Sequence, residues 1–258
     1  MEYIFPFGQT LHSVVQTDLS PKKVFVLGVY ASAVHARWID KDGKQVIAAL
    51  AVASEPEIFW NGHDVHQQIA KIIIPEEAGK LVPAAQNLNG PSGRALDDLY
   101  LKPLGLNRSN TWLCDIIPET RLNPNQRNAI KRSYVQIKNK YNLPKVTIPK
   151  FRLSELDSEP RRKQILEELF NSKADTLILL GDLPINRFLN FFSEKIYDNL
   201  AAFGDTPDSY GMEHEIKLFG KIFRVIPLCH PRQAQRLGAS SKHWYELHSQ
   251  WVKIKTNK

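Results

Sequence analysis

The sequence predicts an α/β fold: a single domain over residues 1–258, a three-layer α/β/α sandwich with a central, mostly parallel, four-stranded sheet. Three observations lead there. Short apolar, β-branched runs recur at residues 24–29, 112–116, 176–180 and 223–227. Segments with apolar residues at helical spacing lie between them, and strands that alternate with helices build parallel sheets covered on both faces. No internal repeat, low-complexity tract or clear linker interrupts the alternation.

Each element has its own signal. Val24-Phe25-Val26-Leu27-Gly28-Val29 follows Lys22-Lys23 and reads as a buried strand feeding a glycine-containing loop. Asp42-Gly43 is a turn signal, so residues 38–52 are expected to form a hairpin. Residues 55–89 contain Pro56, Pro75 and Pro83 and read as loops with one short helix. Ala95, Leu96, Leu99 and Tyr100 fall at helical spacing within 92–104, with Ser92 near the start and Gly105 just past the end. The run from Thr111 to Ile117 is a strand stopped by Pro118. Residues 125–140 and 158–171 read as helices, the second with Pro160 in its first turn, and 144–150 as loop or short strand. The strand at 176–180 ends in Gly181 and leads into a helical stretch, 184–192. The last strand, 219–226, runs into Pro227-Leu228-Cys229-His230-Pro231, and an amphipathic helix, 244–253, follows.

Composition narrows the function classes. With 43% hydrophobic and 24% charged residues the chain is an ordinary folded protein, which excludes disorder, collagen and coiled coil. No run of about 18 apolar residues occurs, so no membrane helix is expected. The start, Met1 to Gly8, lacks the basic-then-apolar pattern of a secretory signal. Cys114 and Cys229 are too few for a disulfide scaffold or a four-thiolate cluster. A cytoplasmic monomer without metal or cofactor is the expectation. His63 and His66, flanking Asp64, make only half a metal site, and Gly181-Asp182 lacks a surrounding phosphate loop. The formal charge of +7 permits nucleic acid as partner through phosphate neutralisation.

Ligands in open α/β sheets bind beyond the carboxyl ends of the strands. Three polar segments sit at such ends: Gly28 to Arg37, Asp115 with the bend from Pro118 to Pro124, and Cys229 to Arg236. Backbone amides after Gly28 and the Ser32 hydroxyl can hold a phosphate or a base edge. His230 can donate to a carbonyl on which negative charge grows. Arg37, Arg94, Arg121, Arg232 and Arg236 are candidate phosphate contacts, and Gln235 or Leu237 a candidate wedge into a duplex.

In order and content these segments resemble the uracil-DNA glycosylase superfamily. Gly28-Val29-Tyr30-Ala31-Ser32 is similar to its first motif, and His230-Pro231-Arg232, ahead of a helix bearing Trp244 and Trp251, to its last. The middle, Leu88-Asn89-Gly90-Pro91-Ser92-Gly93-Arg94-Ala95-Leu96-Asp97, resembles the thermostable iron–sulfur branch. So do the strand and double-proline bend from Thr111 to Pro124 and the strand–helix unit from Leu177 to Leu189. The likeness spans roughly residues 22–252. It implies a central sheet of that family's kind, a flipped-out base and hydrolysis of its N-glycosidic bond, with DNA as partner.

The departures are specific. Tyr30 stands where hydrolytic relatives place a water-activating Asp or Asn, and a phenol with pKa near 10 is a poor base. Ala31 replaces a proline, and Leu88 an aromatic that stacks on the base. Cys114 or Asp115 replaces the Asn that reads the base edge. An ionised Asp115 only accepts hydrogen bonds, which suits a donor-rich edge such as that of cytosine or an amino-purine, unless the carboxyl is protonated. The cluster cysteines are absent. The implied site therefore comprises His230 and Tyr30 as catalytic candidates, with Gly28, Val29, Ala31, Ser32, Leu88, Asn89, Cys114 and Asp115 against the substrate. Three functions compete: a glycosylase with weak or no action on uracil, a non-catalytic nucleic-acid-binding relative, and an enzyme on a free nucleobase or nucleoside.

Overall fold

A computed structural model describes residues 3–237 and 240–257. The chain divides into two compact units, each assembled from three stretches: Met1–Val14, Tyr30–Arg94 and Pro118–Arg152 in the first, Val15–Val29, Ala95–Ile117 and Leu153–Lys258 in the second. Interleaving of this kind leaves no single linker for composition to reveal. The described strands are β1 (Val24–Tyr30), β2 (Ala33–Ile39), β3 (Gln45–Ser54), β4 (Lys80–Pro83), β5 (Thr111–Ile117), β6 (Thr176–Leu180), β7 (His214–Leu218) and β8 (Lys221–Leu228).

The second unit carries a mostly parallel sheet in the order β5-β1-β6-β8-β7. β1 pairs in parallel with β6 (Val26 opposite Ile178), and β6 in parallel with β8 (Ile178 opposite Ile226). β5 starts beside the start of β1, where the Lys23 N–H donates to the Asn110 carbonyl at 2.9 Å. All four expected strands are present, and β1, β5 and β6 are buried almost throughout, as parallel strands covered on both faces must be.

The expected count of four falls short by one. β7 pairs antiparallel with β8 through a tight turn at Phe219 and Gly220, both at positive φ (49° and 80°). The run His214-Glu215-Ile216-Lys217-Leu218 alternates polar and apolar, as an outer strand does. Phe is not a turn-forming residue, so 219 read as strand rather than hairpin tip. Gly28 is a second correction: β1 runs through it to Tyr30, and the bend begins only at Ala31. The helix Glu159–Asn171 starts as expected, with Ser158 as its cap and Pro160 in its first turn. Arg161 on that helix donates to the Asp115 and Ile116 carbonyls (2.7 and 3.2 Å), satisfying polar groups of a strand that has no further strand beside it among the described residues. The stretch 92–104 is helical from Pro91 through a π-helical turn, Leu96–Leu101, and ends at Gly105 in the left-handed region.

The first unit holds a second sheet, β3-β2-β4, which the expected single sheet did not include. β2 and β3 form the expected hairpin around Asp42-Gly43, and β4 adds antiparallel to β2. β4 is short and ends in Pro83, so its pattern gave no strand signal. This unit's core centres on Phe7, Trp38 and Tyr134, with Phe7 edge-on to both other rings at 5.1 and 5.2 Å. The basic stretch predicted as helix 125–140 is helical from Pro124 to Ile137 and includes a π-helical turn, Ile130–Tyr134.

Candidate functional site

The parallel strands bring several polar residues to one edge of the second unit's sheet. β8 ends at Leu228, so Cys229 and His230 leave the sheet directly. His230 caps the short helix Pro231–Ala234. Its own N–H donates to the Gln233 side-chain carbonyl (3.0 Å), and its Nδ1 accepts from the Arg232 N–H (3.1 Å). Burial, and then the nearby Arg232 charge, push the imidazolium down to about 4, so the ring is neutral at pH 7. With Nδ1 fixed as acceptor, the proton sits on Nε2. Nε2 makes no hydrogen bond among the described residues. His230 is thus a neutral donor held in one tautomer, the form suited to a developing oxyanion.

Cys229, one residue earlier, is held from both sides by groups that the sequence reading did not select. The Tyr100 hydroxyl donates to the Cys229 carbonyl at 2.7 Å. The Cys229 N–H donates to the Tyr210 oxygen at 2.9 Å. Tyr210 is bonded to His248 Nδ1 (2.8 Å), and His248 Nε2 reaches the Leu99 carbonyl (3.0 Å). A carbonyl only accepts, so His248 Nε2 carries the proton and Tyr210 donates to Nδ1. Leu99 and Tyr100 are neighbours, so the chain of bonds closes on itself. Burial holds His248 neutral by pushing it down to about 4. Gly181, at φ +89°, packs against His230: a Cβ there would lie 3.3 Å from the His230 Cβ.

Asp115 lies on β5 with only 4% of its surface exposed. Its carboxyl receives no hydrogen bond among the described residues, because Arg161 uses its donors on the backbone carbonyls and on Glu168. Burial raises the carboxyl to about 7 against the opposing pull of Arg161. Both protonation states are therefore populated at neutral pH. Counting β5, β1, β6 and β8 at about 4.8 Å per strand, Asp115 and His230 belong to strands about 14 Å apart. Cys114, on the opposite face of β5, sits 3.4 Å from Arg161, and burial pushes its thiol well up. A concavity of about 460 Å³ opens instead at the amino edge of this sheet, beside Lys23, Lys173 and Arg224. Arg224 is tied there to Asp175 at 2.7 Å.

The remaining candidates divide between the units. Gly28 and Val29 belong with Asp115 and His230 in the second, and Tyr30, Ala31, Ser32, Leu88 and Asn89 lie in the first. Tyr30 packs against Phe151 with ring centres 5.1 Å apart. The Ser32 carbonyl accepts the Thr120 hydroxyl at 2.6 Å. Asn89 is buried and spends both ends of its amide on His35: Oδ1 accepts the His35 N–H (2.8 Å) and Nδ2 donates to its carbonyl (2.9 Å). It braces β2 from inside, whereas Leu88 beside it is 39% exposed.

The candidate phosphate contacts differ in freedom. Arg94 donates to the carbonyls of Asn61, Asn89 and Gln86 within 2.6–2.7 Å and so staples its own loop. Arg121 is half-buried, 3.6 Å from Glu119. Arg37 is exposed on β2, and Arg232 and Arg236 are exposed around the turn that follows His230. Arg232 Nε donates to the Leu237 carbonyl (3.2 Å), and Gln235 to the Pro231 carbonyl (3.2 Å). His63 lies 2.9 Å from the Asn61 side chain, and no group of three His, Cys, Asp or Glu among the described residues is placed to hold a metal ion. No helix among the described residues is long and apolar enough to cross a membrane. No protein-family model matches the chain, and no curated protein matches it significantly.

Proposed function

We propose that this protein is a divergent member of the uracil-DNA glycosylase superfamily that processes a base flipped out of DNA, with His230 as electrophile. The supporting observation is the state of His230: neutral, fixed by its Nδ1 bond, with the Nε2 proton uncommitted at the carboxyl end of a parallel strand. As the glycosidic bond breaks, negative charge builds on a carbonyl of the departing base, and the His230 Nε2–H would stabilise it by donating a hydrogen bond. The adjacency of the motif-bearing strands in the order β5-β1-β6-β8 supports the same reading. Asp115 would read the base edge. In its protonated form it offers one donor and one acceptor, as an amide does; ionised, it only accepts. Tyr30, packed on Phe151 where relatives activate water, favours the second reading, a binding protein without hydrolysis.

One experiment separates these. Oligonucleotides each carrying a single altered base are incubated with the wild type and with His230→Ala, and abasic sites are counted. The enzyme reading expects release of at least one base, reduced roughly 10²-fold or more in His230→Ala. Binding without abasic sites on any substrate leaves the binding-protein reading.

A further inference from the structure

The excess positive charge of this chain is not spread over it. Residues 121–152, all in the first unit, contain nine Lys+Arg and no Asp or Glu, whereas the remainder carries 25 Lys+Arg against 27 Asp+Glu. We propose that this segment is a docking surface for the phosphate backbone of a nucleic acid. The proposal rests on charge and burial within the first unit and stands whether or not a base is excised.

The segment begins as a helix capped by Asn123 and runs from Pro124 to Ile137. Ile130 and Tyr134 are buried in the core, with Ile137 packed against it. The face that remains carries Lys131 and Arg132, and the chain beyond adds Lys140, Lys145 and Lys150, all exposed. Among the described residues none of these five pairs with a carboxylate. Like charges four apart on a helix, here Arg127 and Lys131, destabilise it. The helix dipole favours cations only at the carboxyl end, which accounts for Lys138 and not for Arg127 or Lys131. An uncompensated cationic strip is what a polyanion relieves, through release of its condensed counterions.

Two observations favour nucleic acid over an anionic membrane. A helix that lies on lipid keeps an apolar face for the bilayer, and the apolar face of this one is already spent on the core; Val135 is its exposed aliphatic residue. The cations are interspersed with exposed amides at Asn125, Asn128, Gln136, Asn139 and Asn142, which hydrogen-bond phosphates and sugars.

The test is fluorescence anisotropy with a labelled 20-base-pair duplex, as DNA and as RNA, over a salt series. A variant carrying Lys131→Gln, Arg132→Gln, Lys140→Gln and Lys145→Gln changes only exposed side chains; circular dichroism checks its fold. We expect Kd at about 0.1 M salt to rise at least 10-fold, with the salt slope falling by roughly three to four. The tighter of the two duplexes identifies which nucleic acid is the partner. Equal removal of charge from the second unit, by Lys195→Gln, Lys217→Gln, Lys253→Gln and Lys255→Gln, should weaken binding far less. An equal loss in both variants, no loss in the first, or no binding by the wild type would overturn the proposal. So would wild-type preference for phosphatidylserine vesicles over either duplex. Duplex binding that depends on the strip, with no abasic sites on any substrate, would instead count against base excision alone.

Discussion

At His230 and Asp115 the same cause acts on an acid and a base. Burial penalises whichever form is charged, so it lowers the histidine to about 4 and raises the carboxyl to about 7. For Asp115 the folded value lies above the unfolded one. The folded state therefore binds the extra proton between about pH 4 and 7, and stability falls as pH rises through that window. Above it the ionised carboxyl costs about 4 kcal/mol as an upper figure. Asp115→Asn should accordingly raise Tm at pH 8 and leave it nearly unchanged near pH 4, which thermal melts at the two pH values would check. Its consequence for recognition is separate. If Asp115 reads the base, substrate preference in the wild type should change between pH 6 and 8, and that change should vanish in Asp115→Asn.

At the scale of elements, the end of β8 is fixed by partners distant in sequence. Tyr210→Phe removes a hydroxyl that serves both the Cys229 N–H and His248 Nδ1, leaving two buried polar atoms unpaired. The expected loss is roughly 2–4 kcal/mol in urea unfolding. Tyr100→Phe strips one donor from the Cys229 carbonyl and should cost about half as much. Gly181→Ala acts without touching the network. Its left-handed backbone and the 3.3 Å approach to the His230 Cβ require a shift of the ring, so on the proposed glycosylase reading base release should fall more than Tm does. A glycine whose only role is to end a strand would show the opposite ranking.

For the molecule as a whole, burial lowers four of the described histidines: His35 in the first unit, and His214, His230 and His248 in the second. Their folded values lie below the unfolded one. Stability is then full above about pH 6.5 and is lost as pH falls toward 4, by about 3 kcal/mol for each of the enclosed pair His35 and His248. Asp115 opposes them over the same range by releasing a proton on unfolding. The net expectation is an uptake of about two protons on unfolding near pH 5, read from the slope of unfolding free energy against pH. His248→Gln should reduce that slope by about one proton.

Much of this was legible in the residues alone. Apolar β-branched runs mark β1, β5, β6 and the carboxyl half of β8 because strands buried on both faces are built almost wholly from apolar residues. Ser158, Pro160, Gly105 and Asp42-Gly43 mark their helix ends and turn through local backbone preferences that need no tertiary partner. His230 stood out because it follows a strand end. What only the tertiary structure decided depends on long-range contact. β4 is a strand because β2 offers it hydrogen bonds, not because its own pattern is strong, and β7 is set off from β8 by a turn at Phe219, a residue with no turn preference of its own. Asn89 is a brace rather than a free amide because His35 lies across from it. The ring that runs from Leu99 and Tyr100 through Cys229, Tyr210 and His248 joins residues up to 149 apart in the chain, and no spacing rule reaches that far. Burial, which sets the charge of Asp115 and His230 and so what they can do, is a property of the packed chain and not of any residue in it.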